Sequence, residues 1–375
     1  MIATGSAAPP SPLLVIYADH NATTPCLPEA AAAVAAALVD MPGNPSARHH
    51  PGGRAAQARV DQARTEVAAL LNARPDSLIF TSGATEACNL AIFGIMERLL
   101  ATRPGIACPA TEHAAVRAPV ARLAEAGAII VQEPDSRTGL VCAMLVNHET
   151  GVIQDLPAIS AAAHAVGALV VCDASQAPAR LAVDVAALGA DLVVMSSHKM
   201  YGPPGVGALW IRPGLGLAPQ LYGGGQERGL RSGTLNVPAI AGFGVAARVA
   251  RERVATRSTH LTHLTARLEA RLRDALPALV IHGSTGPRAP GTSMITLPGL
   301  RSGWLAQLSS IAASAGSACA SGTGEPSSVL TALGVAPADA RNSLRLGLGE
   351  GTTAAEVDLI AAEVIRGALR LMGPG

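Results

Sequence analysis

The chain is poor in aromatic residues, with two Trp, three Tyr and three Phe among 375 positions. It also has almost no excess charge: 28 Lys and Arg stand against 27 Asp and Glu. A nucleic-acid surface needs basic patches and stacking platforms, so both shortages argue against one. Long apolar runs are missing as well. The longest, residues 30–39, is too short to cross a bilayer and reads as a packed, Ala-rich helix. The first twelve residues carry no basic stretch, so no secretory signal is expected. The six cysteines (26, 88, 108, 142, 172 and 319) are scattered, with no Cys-x-x-Cys spacing. This favours reduced thiols in a cytoplasmic setting over disulfides or a zinc site. His49 and His50 are adjacent and have no evident third ligand, so no metal centre is expected.

What the chain does have is alternation. Helical patterns cover roughly 29–40, 53–72, 85–100, 114–126 and 155–166, and strand-like runs sit near 78–81, 128–132, 141–146, 168–172, 192–196 and 208–211. Such alternation predicts an α/β fold, a mainly parallel sheet covered by helices on both faces. After Pro238 the pattern changes to a long polar-faced helix (about 239–275), short strands, a Gly/Ser-rich loop and a last helix over about 353–371. The expected division is a large domain over 20–238 and a smaller α+β domain built from 1–19 and 239–375.

Chemistry-bearing residues sit at strand ends. Lys199 follows the buried-looking run Leu192–Met195 and precedes a Gly/Pro turn. A lysine there is held near low-dielectric material, where its amine can lose a proton and act as a nucleophile. Asp173 ends the run at 168–172. Taken singly, these read as a surface lysine and a capping Asp. At neighbouring strand ends of one parallel sheet, they suit pyridoxal phosphate, with the lysine as Schiff-base partner and the carboxylate on the pyridine nitrogen. Ser82-Gly83-Ala84-Thr85-Glu86 opens a helix, and a helix N-terminus is an anion site. Cys319 lies in the small-residue loop 314–324, the kind of segment a travelling thiol needs. Arg345, in a strand-like run, has the geometry to hold a carboxylate by two parallel hydrogen bonds.

These pieces, with Tyr17–Pro25, Gly43–Ser46, Thr111-Glu112-His113, Gly223–Glu227 and Arg231–Thr234, closely resemble a family. From about Tyr17 onward the chain resembles cysteine desulfurases of the nitrogen-fixation and iron–sulfur-cluster-assembly type, pyridoxal-phosphate enzymes of fold type I grouped with class V aminotransferases. The resemblance implies a homodimer that converts L-cysteine to L-alanine and passes the sulfur, as a persulfide on Cys319, to a cluster scaffold or sulfur carrier. It implies that Lys199 carries the cofactor and moves the Cα proton, that Asp173 pairs with the ring nitrogen, and that Gln176 bonds the ring hydroxyl. His113 would stack on the ring and assist proton transfer. Ala84, Thr85, Ser196 and His198 would bind the phosphate, joined by Thr234 of the other subunit. Arg345, with Asn147 nearby, would bind the substrate.

Three features depart from the family's pattern. His148 stands where a second asparagine usually contacts the ring hydroxyl, and an imidazole there is expected to titrate near neutral pH. The stretch from Asp135 to Cys142 is short, with Gly139 leading directly into a strand. Ser302-Gly303-Trp304 replaces an acidic segment, at a place where partner docking or substrate access would be altered. Rival readings are a selenocysteine lyase, another class V enzyme, or a cofactor-binding scaffold without turnover. Gly316-Ser317-Ala318-Cys319 argues against a simple aminotransferase.

Overall fold

The computed structural model describes residues 15–40, 42–300, 303–315 and 325–373, and Cys319 lies outside them. Within these residues the branched apolar runs become strands, seven of them in one main sheet. In chain order the strands are β1 (Ile16–Tyr17), β2 (Leu78–Thr81), β3 (Gly105–Ala107), β4 (Ile129–Val131), β5 (Thr138–Met144), β6 (Leu169–Asp173), β7 (Leu192–Ser196), β8 (Gly207–Ile211), β9 (Val280–Ile281), β10 (Thr292–Thr296), β11 (Ile311–Ala312) and β12 (Leu344–Gly347). The main sheet runs β2-β8-β7-β6-β5-β3-β4. β8 is antiparallel to both its neighbours and the remaining pairings are parallel, as expected.

Helices cover both faces, because the central strands are apolar on both. Along β7, Val193 and Met195 enter one core while Leu192 and Val194 enter the other. The helices are α1 (Pro28–Val39), α2 (Pro51–Leu70), α3 (Ala84–Leu99), α4 (Ala114–Glu125), α5 (Leu156–Ala165), α6 (Val185–Leu188), α7 (Val237–Ala275), α8 (Ser328–Ala332), α9 (Pro337–Arg341) and α10 (Ala354–Met372). α2 and α7 share the first core; α3 and α4 share the second.

A second body is built on the antiparallel sheet β12-β10-β9 and the parallel pair β1–β11. Its core takes Leu261, Leu264, Leu268 and Leu272 from α7 and Val357, Ile360 and Val364 from α10. The same helix α7 places Val237, Ile240, Phe243 and Ala247 in the first core, so it crosses the boundary expected at residue 238 and serves both bodies.

Two local features differ from the sequence reading. β3 has no counterpart in it, because three residues between Pro104 and Pro109 are too few to show a period. Trp304 packs inward. Its ring is 1% exposed in the second core, and its Nε1 donates to the Val364 carbonyl at 3.1 Å. The short stretch before Cys142 is a tight turn: the Asp135 side chain accepts from the Arg137 amide at 2.9 Å, and β5 begins at Thr138.

One glycine fixes how closely the sheet approaches the start of α3. A Cβ on Gly207 would lie 2.7 Å from Gly83 backbone atoms and 2.7 Å from the Met195 carbonyl oxygen. Gly207→Ala therefore has to displace the Ser82–Glu86 turn or strain β8. The expected outcome is a loss of about 1–3 kcal/mol in urea unfolding; unchanged stability would show that the turn yields freely.

Candidate active site

The carboxyl ends of adjacent strands β6 and β7 and the N-terminus of α3 enclose a cavity of about 430 Å3. This is the edge at which open α/β sheets bind ligands. Ten residues expected from the sequence line it: Lys199, Asp173, Gln176, Ser196 and His198 from the strand ends, Ala84 and Thr85 from α3, and His113, His148 and Arg345 from the surrounding loops and β12. Thr234 is exposed and not in this wall, and Cys319 lies outside the described residues.

Lys199 sits in the short helical turn after β7, where its Nζ donates to the carbonyl oxygens of Asn21 (2.6 Å) and Ala22 (2.7 Å). Burial, and then the neighbouring Arg345 and Arg180, bring its pKa down to about 8, against the opposing pull of Asp173 and Asp19. Asp173 is buried at the end of β6, with Oδ1 accepting from the Ser175 amide at 2.9 Å. Gln176 donates to the Asn21 carbonyl at 2.9 Å and accepts from Arg180 at 3.1 Å, so its amide is oriented before any ligand arrives.

The three imidazoles at the cavity all have lowered pKa values. His113 caps α4: its Nδ1 accepts from the Ala115 amide at 3.1 Å, which puts the ring proton of the neutral form on Nε2. Burial lowers its pKa, as do the nearby cations Lys199, Arg117 and Arg345, against the pull of Asp173. His148 meets His113 edge-on, with centroids 5.1 Å apart and rings at 84°. The near-neutral titration expected for His148 is not what the structure gives. Burial, His113 and the surrounding Arg345, Lys199 and Arg117 push it well below the usual imidazole range. His198 shares a hydrogen bond of 3.0 Å between Nδ1 and the Thr23 hydroxyl, and burial beside Lys199 takes it to about 4.

Asn147 does not reach the cavity wall. Its Oδ1 accepts from the amides of Glu149 (3.0 Å) and Thr150 (2.9 Å), and its Nδ2 donates to the Thr111 carbonyl at 3.3 Å. With that side chain spent on the turn, His148 is the member of the pair left facing the cavity. Arg345 is 1% exposed; its Nη2 donates to Asp19 at 2.8 Å and its Nη1 to the His148 carbonyl at 3.1 Å.

The sequence reading assigned no role to Asp19, Asn21, Arg180 or Glu112, although it noted the stretch Tyr17–Pro25 and the triplet ending at His113. Glu112 is buried, and its Oε1 accepts from the Met144 amide at 2.8 Å. Burial pushes its pKa well above the usual carboxylate value, against the Met144 hydrogen bond and with Asp173 adding to the rise. Polar residues that act from behind a site leave no spacing signal; only their occurrence inside an ordered motif marks them.

The arrangement fits a phosphorylated aromatic aldehyde. Three wall residues carry buried polar atoms without a protein partner among the described residues: Ser175 Oγ, His148 Nδ1 and Arg345 Nε. An acidified amine and a buried carboxylate face the same space, with helix amides and the Ser196 hydroxyl at one end. No group of three or more His, Cys, Asp or Glu able to hold a metal occurs among the described residues, and no described helix is long and apolar enough to cross a membrane.

Comparison with known proteins agrees with this geometry. Residues 16–360 match the family model for class-V aminotransferases. A cysteine desulfurase of Frankia sp. (strain EuIK1) is 40% identical, covering 94% of this chain and 92% of its own length. A cysteine desulfurase IscS of Methylococcus capsulatus is 39% identical, covering 92% and 90%. The solved structure of a NifS-like protein superposes with a TM-score of 0.85 at 28% identity, over 94% of this chain and 98% of that one. Family model, relatives and fold converge: the chain belongs to the class-V aminotransferase family and, within it, to the cysteine desulfurases.

Proposed function

We propose that the protein is a pyridoxal-phosphate-dependent cysteine desulfurase, which takes sulfur from L-cysteine, leaves L-alanine and holds the sulfur on Cys319 for an acceptor protein. The observation that carries this reading is the meeting of acidified Lys199 and buried Asp173 in one cavity at the N-terminus of α3.

Lys199 is the residue to carry the cofactor, and Asp173 the one to keep its ring nitrogen protonated. Gln176 and His148 stand for the ring hydroxyl, His113 for the ring face, and Ala84, Thr85, Ser196 and His198 for the phosphate. When bound, the ring supplies an electron sink for charge that develops at the substrate Cα. Lys199, at a pKa of about 8, is neutral often enough at physiological pH to accept the Cα proton at Nζ. His113, oriented by its cap with its ring proton on Nε2, can donate a hydrogen bond from Nε2 to the bound ring or substrate. Arg345 binds the substrate carboxylate. The Cys319 thiolate takes the sulfur: L-cysteine and the enzyme thiol become L-alanine and an enzyme persulfide, with no outside oxidant.

The same reading supplies the wider assignments. Thr234, exposed and outside this wall, would serve the phosphate of a second copy in a homodimer. Residues 20–238 would form the cofactor-holding unit, and 1–19 with 239–375 the unit that carries the thiol. A reducing compartment such as the cytoplasm suits a sulfur-carrying thiol, and the five described cysteines are all free. The acceptor is a cluster scaffold or a sulfur carrier.

The direct test is L-alanine formation from L-cysteine by the cofactor-loaded protein with a thiol reductant. The wild type is expected to form alanine, and Cys319→Ala almost none while it keeps the cofactor absorbance. Equal alanine from both would remove Cys319 from the reaction. Turnover of selenocysteine but not of L-cysteine would replace the reading with a selenocysteine lyase.

A second expectation follows from the lysine. Its lowered pKa means that covalent uptake of pyridoxal phosphate by the apoprotein accelerates as pH rises and levels off just above about 8. An exposed lysine would keep gaining to about 10.4. Stopped-flow absorbance across that range, with Lys199→Ala as the control, reads the midpoint. A midpoint above 10 would contradict the buried, cation-flanked amine.

A further inference from the structure

Arg345 does not hold its place unaided. Asp19, from the chain segment just after β1, accepts from Arg345 Nη2 through Oδ1 at 2.8 Å, and its other oxygen, Oδ2, accepts from the Ser314 hydroxyl at 2.6 Å. The side chains of Arg345 and Asp19 are 2% and 16% exposed, so water screens the pair weakly. The surrounding backbone fixes the carboxylate. Asp19 forms a parallel bridge with Gly347, and Ser314 an antiparallel bridge with Arg345, whose amide donates to the Ser314 carbonyl at 2.7 Å. Three separate pieces of chain therefore meet at one carboxylate.

The guanidinium has five N–H donors. One goes to Asp19 and another to the His148 carbonyl, while the buried Nε has no partner among the described residues. A cation on a long stem, with unused donors at a cavity wall, recognises a carboxylate well only if its plane is fixed beforehand.

We infer that Asp19, braced by Ser314, is the positioning residue that fixes the Arg345 guanidinium for the carboxylate of the amino-acid substrate. This rests on the reading of Arg345 as the carboxylate site. Asp19 also ties that site to Ser314, so the residue that orients the substrate is bonded to the stretch of chain that precedes Cys319. It touches no reacting atom. Its effect belongs to ligands that carry a carboxylate and not to amines that lack one.

The test uses the cofactor-loaded protein and reads the absorbance change on adding L-alanine, or cysteamine, which has the amine and thiol of cysteine without its carboxylate. Asp19→Asn is expected to raise the apparent Kd for L-alanine at least about tenfold, and to leave that for cysteamine as in the wild type. A parallel rise for both ligands would mean a general disturbance of the cavity and would overturn the inference. So would an unchanged or lower Kd for L-alanine, the latter showing that Asp19 competes with the ligand for Arg345. Ser314→Ala keeps the ion pair and guards against misfolding of the first variant. It should raise the L-alanine Kd about threefold, and no change would remove Ser314 from the device. Ligand binding needs no desulfuration, so these outcomes are read independently of whether the wild type turns L-cysteine over.

Discussion

The fold depends on one strip of chain, residues 17–24, that bonds both to the main sheet's side (Gln176, Arg180, Lys199) and to Thr292 of β10. Its centre is a buried polar knot. Asn21 Oδ1 accepts from Arg180 Nη2 at 3.1 Å, its Nδ2 donates to Thr292 Oγ1 at 2.9 Å, and Arg180 Nη1 reaches Gln176 at 3.1 Å and Thr292 at 3.2 Å. A guanidinium buried this completely has its pKa brought down to about 10, and it is tolerable only because its donors are met. Backbone clearance makes the knot possible. A Cβ on Gly347 would stand 2.4 Å from Asn21 Oδ1, and one on Gly349 would stand 1.7 Å from the His20 ring. From this strip come the carbonyls that hold Lys199, the hydroxyl beside His198 and the carboxylate on Arg345.

The electrostatics of the cavity follow from the same placement. Lys199 is near Arg345 and Arg180, and Asp173 and Asp19 offset them only in part. This arrangement of cations at the cavity favours anionic ligands. Burial first, and then these cations, lower the pKa values of the groups among them. The lysine becomes a usable base, and His113 and His148 stay neutral. One set of charges thus both draws anions and, with burial, lowers the pKa of the lysine and the imidazoles.

Much of this was legible in the sequence, for identifiable reasons. β6 and β7 are buried on both faces, so their apolar runs are continuous and their ends fall where the Asp and the Lys stand. α3 announces itself by its turn, and the last helix, expected over about 353–371, is α10, which the structure closes with a capping box of Thr353 and Glu356. Less legible was whatever depends on contacts distant along the chain. Asn21 and Thr292 are 271 residues apart, and Asp19 and Arg345 are 326 apart. No local pattern records such a meeting. Trp304 could be read as a surface change because burial is decided by α10, more than fifty residues later, whose Val364 carbonyl receives the indole proton. His148 was the subtler case. Its identity was plain, but its ionisation was not, because that is set first by burial and then by His113 and three cations brought in from elsewhere in the fold.

Helix α7 carries a mechanical consequence. At 39 residues it is roughly 58 Å long, and each half is cemented into a different core. Two bodies joined by such a spine cannot swing about a loop. Any change in the angle between them must be taken up as elastic curvature of an unbroken helix, which resists sharp bends unless a proline, a bulge or an inserted side chain breaks its hydrogen bonds. Large opening movements are thereby discouraged, and the width of the cleft becomes a nearly fixed dimension of the molecule. Access to the cavity then falls to the loops at its rim, while the walls keep their spacing.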